Sequence, residues 1–115
     1  MIAKLTTGAE MRVTGSGALA VVCVNGGQGH EVAGTWSATL EWLVGRLAPR
    51  FAGLRFGEVR YRIKSWRKLD WCIEDARAAV RALGAPRTLF VVKRTRHVAG
   101  FDQLLRAPQI LFRKV

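Results

Sequence analysis

The sequence predicts an α/β protein: a twisted, mostly parallel sheet of about five strands, with an N-terminal β-hairpin and two main helices. Three observations carry this prediction. A continuous apolar run, Leu19-Ala20-Val21-Val22-Cys23-Val24, breaks into clustered glycines, as a strand covered on both faces does where it leaves a parallel sheet. Two later stretches repeat their apolar residues at helical spacing. Strand-like and helix-like segments then alternate, which implies right-handed crossovers between parallel strands.

The elements follow in order. Ile2 to Leu5 and Met11 to Val13 flank Thr7-Gly8-Ala9 and read as a hairpin. Thr14-Gly15-Ser16-Gly17 is a loop, and Ala18 to Val24 is the apolar strand. Trp36, Leu40, Leu43, Val44 and Leu47 share one helical face, so a helix is expected from about Trp36 to Ala48, with Thr35 as N-cap and Pro49 as its stop. Leu54 to Ile63 alternates between apolar and charged residues but changes phase at Gly57, which suggests a bulged strand. Leu69, Cys72, Ile73, Ala76, Val80 and Leu83 form the buried stripe of a second helix, Trp66 to Leu83, closed by Gly84 and Pro86. Thr88 to Val92 is a further apolar strand. From Lys93 the periodicity fades, leaving only a turn at Gln103 to Ala107 and a short strand at Gln109 to Phe112. The expected organisation is an α/β domain over 1–92 and a basic tail over 93–115.

At 115 residues the chain is one domain at most, and with half its residues hydrophobic it can bury a real core. The apolar run is too short to cross a bilayer, and Met1-Ile2-Ala3-Lys4 begins no leader of the secretory type; the expected location is the cytoplasm, with no membrane partner. Cys23 and Cys72 lie in apolar patterns and read as reduced core thiols. No ligand spacing joins them to His30 or His97, so no metal is expected. The charge of +11 raises nucleic acid as a partner. Its distribution weakens that idea. Residues 1–86 hold 12 basic and 7 acidic residues, and residues 87–115 hold 7 basic and 1 acidic, so the excess concentrates in the tail. Trp36, Trp42, Trp66 and Trp71 alternate with Arg60, Arg62, Lys64, Arg67 and Lys68, which fits a core with a charged rim better than a single-strand platform.

The glycine turn Asn25-Gly26-Gly27-Gln28-Gly29-His30 is the candidate site. It lacks the third glycine of a dinucleotide fingerprint, and Thr35 stands where a phosphate loop needs lysine, so no cofactor is expected. A glycine loop between a strand and the next helix supplies one oxyanion donor in serine hydrolases; it also serves merely as a tight turn.

The block Ala20 to Gly29, with Gly34-Thr35-Trp36-Ser37-Ala38 and Glu58-Val59-Arg60-Tyr61-Arg62-Ile63-Lys64-Ser65-Trp66, resembles the N-terminal part of actinobacterial α/β hydrolases. Asp70 to Ala76 and Gly84-Ala85-Pro86-Arg87-Thr88-Leu89 continue the likeness, which covers about residues 1–91. The resemblance implies a partial α/β-hydrolase fold, and in the parent family a Ser-His-acid triad acting on an ester or related acyl bond of a small molecule. Carried across, it makes the backbone N–H of Gly27 or Gln28 the oxyanion-hole candidate, with Asn25, Gly26 and Gly29 completing the loop; Asn25 stands where many relatives have histidine.

The same resemblance places the nucleophile elbow, G-x-S-x-G, directly after Thr88 to Val91. The chain reads Val92-Lys93-Arg94-Thr95-Arg96 there, with no serine, cysteine or aspartate. Thr95 beside His97 makes no triad, because the base must come from another loop with an acid behind it. Asp102 has nothing to place it there, and His30 reads as a loop residue facing solvent. In the family the acid and histidine follow beyond the strands that this chain matches. No catalytic residue is therefore expected, and the chain reads as a truncated or disrupted hydrolase without activity. Two alternatives stand beside this: a small basic protein that binds nucleic acid, and a hydrolase completed by a separately encoded C-terminal half. A strand Thr88 to Val92 left at the sheet's edge would also favour self-association, unless the tail folds back to cover it.

Overall fold

A computed structural model describes residues 1–24 and 29–84 with their side chains, and the strand backbones of 88–92 and 110–114. Six strands form one sheet: β1 (Ile2–Lys4), β2 (Glu10–Thr14), β3 (Leu19–Val24), β4 (Leu54–Arg60), β5 (Thr88–Val92) and β6 (Ile110–Lys114). Their order is β1-β2-β4-β3-β5-β6. Helix α1 (Ala38–Leu47) links β3 to β4, and α2 (Leu69–Leu83) links β4 to β5.

The expectation of a mostly parallel sheet of about five strands needs correction. The pairing is mixed. Among the four strands described with side chains, β1–β2 and β2–β4 are antiparallel and only β3–β4 is parallel. The backbones of β5 and β6 add two parallel pairings. The physical reason lies in β2: its hairpin with β1 sets it antiparallel beside β4, so both antiparallel pairings come from the N-terminal hairpin.

β3 is central, and its composition follows from that position. Ala20, Val22 and Val24 enter one apolar cluster with α2 and the hairpin, whereas Val21 and Cys23 enter another with Leu40 and Val44 of α1. The side-chain period of a strand is two, so a strand with a helix on each face must be apolar throughout. The two helices lie on opposite faces because the β3-to-β4 and β4-to-β5 crossovers step in opposite directions along the sheet with the same handedness. Among the described residues, no helix is long and apolar enough to cross a membrane.

Several local expectations change. Helix α1 starts at Ala38, with Ser37 rather than Thr35 as its N-cap; Ser37 Oγ accepts from the Leu40 amide at 3.2 Å. Trp36 therefore lies before the helix, where the Arg12 guanidinium stacks on it at 4.6 Å. The chain continues past α1 into a single 3₁₀ turn, Ala48–Arg50, that includes Pro49. β4 has no bulge, since its register with β2 and β3 runs unbroken through Gly57. The change of phase instead reflects burial of both faces from Phe56 to Val59, with Met11 and Leu83 packed over Gly57. A 3₁₀ turn, Trp66–Lys68, precedes α2. Gly84 closes α2 in the left-handed conformation, φ 62°, its N–H bonded to the Val80 carbonyl, while Pro86 lies outside the described residues.

The strand Thr88 to Val92 is paired on both sides, with β6 of the tail along its outer edge. β5 lies between β3 and β6, and β6 spans Ile110–Lys114, slightly later than the expected Gln109 to Phe112. The expected turn at Gln103 to Ala107 falls outside the described residues.

Candidate functional site

In open α/β sheets ligands bind beyond the carboxyl ends of the strands, where connections depart in opposite directions. In this sheet that point lies between β3, whose chain leaves toward β4, and β5, whose chain leaves toward β6. The register pairs Val24 with Val92, the last residues of the two strands. The carboxyl ends of β3 and β5 are thus adjacent in the sheet. Asn25, Gly26, Gly27 and Gln28 lie outside the described residues, as do Thr95, His97 and Asp102. Gly29 and His30 are described, and His30 is exposed, as expected.

Downstream of the glycine turn the chain is held firmly against the end of β4. The Lys64 amide donates to the Val32 carbonyl at 2.8 Å, and Ala33 bridges Ile63 in antiparallel register. The Gly34 amide donates to the Arg62 carbonyl at 3.3 Å, Arg60 Nε donates to the Gly34 carbonyl at 3.0 Å, and Lys64 Nζ donates to Thr35 Oγ1 at 3.1 Å. Gly34 lies so close to Tyr61 that a Cβ there would fall 1.8 Å from the Tyr61 carbonyl oxygen. Residues 32–36 are thus held in place by the segment that ends and follows β4.

Two buried carboxylates flank this end of the sheet, one on each face, and sequence periodicity revealed neither. Glu58, opposite Cys23 in register, takes a bidentate bond from Arg12: Nη2 to Oε1 at 2.9 Å and Nε to Oε2 at 3.1 Å. That bond raises the Arg12 pKa further despite burial, so the guanidinium stays charged. Asp75, fully buried in α2, accepts from the Arg62 amide at 3.1 Å and from Arg62 Nε at 2.9 Å. Arg62 also reaches Glu74 at 3.1 Å and stacks on Trp71. The only advance signal was an acid beside the apolar stripe, with arginines two residues apart on the preceding strand.

Burial pushes the Tyr61 hydroxyl well above its usual pKa. Burial also pushes Cys23 up to about 12, with Glu58 adding to it, and Cys72 up to about 11. Both thiols are buried and free. Native protein at pH 8 should therefore react with iodoacetamide at least about a hundredfold more slowly than urea-unfolded protein, since the thiolate is the nucleophile. Rapid labelling of either thiol in the native state would refute this.

The described residues do not assemble a triad. Ser37 caps α1, Ser65 is buried and accepts from the Arg67 amide, and Asp75 is tied to Arg62. Among them, no group of three or more His, Cys, Asp or Glu side chains could hold a metal ion.

A central strand with a parallel neighbour on each side, helices on both faces and an antiparallel hairpin beside them make a mixed α/β fold of coarse hydrolase-like resemblance. The chain is similar in structure to a proline iminopeptidase-related protein from Thermus thermophilus, with a TM-score of 0.61 at 21% identity. The match covers 97% of this chain and 43% of that protein, so the chain spans less than half of its neighbour's length. This likeness is one of fold. No protein-family model matches the chain, and no curated protein does.

Proposed function

We propose that this chain is the front part of an α/β-hydrolase-type scaffold that retains the anion-holding loop and lacks the nucleophile, and that by itself it turns over no ester. The observation that carries this reading is the pairing of Val24 with Val92. The last residues of β3 and β5 are thus neighbours in the sheet, and in the hydrolase scaffold the oxyanion loop and the elbow follow two such strands. An elbow needs small residues around a strained nucleophile, and Lys93-Arg94-Thr95-Arg96-His97 supplies bulky cations instead. The resemblance puts the oxyanion donor at Gly27 or Gln28, and residues 32–36, shortly after them, are held by hydrogen bonds to residues 60–64.

Purified protein should hydrolyse 4-nitrophenyl butyrate no faster than a denatured control, and a fluorophosphonate probe should leave it unlabelled. Stoichiometric labelling at one residue, lost on replacing that residue, would overturn the reading. A second reading is a hydrolase completed by a separately encoded half. A G-x-S-x-G motif in the adjoining downstream reading frame would support it, and that frame without one would count against it.

A further inference from the structure

The segment that anchors the glycine turn also builds a feature that the hydrolase reading does not use. Trp66 opens the 3₁₀ turn before α2, and 44% of it is exposed, although it lies at the functional end of the sheet. A Cβ added at Gly29, where the glycine turn ends, would fall 3.4 Å from Trp66 Nε1, so the indole borders the turn directly. The Arg67 guanidinium lies over the Trp66 ring at 5.7 Å, and Lys68 Nζ over Trp71 at 4.7 Å.

Charge separates these cations from their neighbours. Arg12, Arg60 and Arg62 are neutralised by Glu58, Glu10, Asp75 and Glu74. Among the described residues, no carboxylate lies within ion-pair distance of Arg67 or Lys68. An exposed indole flanked by uncompensated cations can stack a flat group and hold a negative charge at the same time. Among the described residues Trp66 is the one strongly exposed ring at this spot, which favours a small ligand over a polymer that needs a row of stacking platforms.

We infer that Trp66, Arg67 and Lys68, beside Gly29, form a binding subsite for a small planar anion, of which an aromatic carboxylate is the simplest case. The inference does not depend on whether the chain hydrolyses esters, and an inactive protein would bind equally well.

Calorimetric titration of the full chain with 2-naphthoate tests it, with uncharged 2-naphthalenemethanol as the comparison ligand. The acid should bind at one site, and the alcohol at least about tenfold more weakly. Trp66→Ala should weaken the acid by about tenfold or more, and Arg67→Gln by about fivefold, while the alcohol's affinity should be unchanged in Arg67→Gln. Arg67 is exposed and only its amide bonds Ser65, so Arg67→Gln decides the matter even if Trp66→Ala fails to fold. The proposal fails if no saturable binding occurs up to roughly 10 mM, if acid and alcohol bind alike, or if neither variant alters the acid's affinity. It also fails if oligothymidylate displaces naphthoate with a steep salt dependence, which would assign the surface to nucleic acid.

Discussion

Replacing Gly34 with alanine should cost the protein its native fold. The new Cβ would lie 1.8 Å from the Tyr61 oxygen, 2.7 Å from its carbonyl carbon and 3.0 Å from its nitrogen, all backbone atoms. No rotamer change relieves a clash with backbone, and both strands are held by hydrogen bonds on either side. Relief therefore requires breaking the Gly34–Arg62 bond, the Arg60–Gly34 bond or the Ala33–Ile63 bridge. We expect a loss of at least about 3–4 kcal/mol, the upper range for overpacking, from a total of roughly 5–15 kcal/mol for a small domain. Urea unfolding followed by circular dichroism measures it. Gly45→Ala is the matched control: nothing lies within 4 Å of a Cβ there, and the position is inside α1. It should gain about 0.5–1 kcal/mol from helix propensity. A Gly34→Ala protein with the wild-type midpoint would show that the contact of residues 32–36 with the end of β4 is dispensable.

Asp75→Ala should be nearly as damaging. The carboxylate is fully buried, and its loss leaves the Arg62 amide and Nε without their acceptor next to Tyr61 and Cys72. Removing one partner of a buried ion pair costs about 3–5 kcal/mol, because the remaining charge stays desolvated. Glu74→Ala removes the other carboxylate on Arg62, whose side chain is 60% exposed, and should cost at most about 0.5 kcal/mol. The contrast isolates burial as the cause, since both acids contact one guanidinium. Equal destabilisation by the two changes would refute the account.

Much of the fold was legible in the chain because burial on a strand or helix imprints a short period. The run from Leu19 to Val24 announced a central strand, and Gly84 announced the end of α2 from local chemistry alone. Legibility failed where long-range partners overrode local pattern. Trp36 fitted the apolar stripe of α1 yet lies under Arg12, which is brought from β2 by strand pairing. The apparent phase change at Gly57 read as a bulge because nothing local announces that Glu58 is buried by an arginine 46 residues away. The glycine turn was legible as a candidate loop, but the anchoring of residues 32–36 on β4 was not, because it depends on backbone bonds between segments about thirty residues apart.

By itself the sequence determined which segments are strands and helices, which faces are apolar, and that no serine, cysteine or aspartate stands at positions 93–97. Periodicity and residue identity are properties of neighbours along the chain. The tertiary structure alone decided that β2 pairs with β4, that Val24 lies opposite Val92, and that Glu58 and Asp75 are buried. Those outcomes depend on which distant backbones pair and on where an arginine arrives to compensate a buried charge, and neither leaves a period in the local sequence.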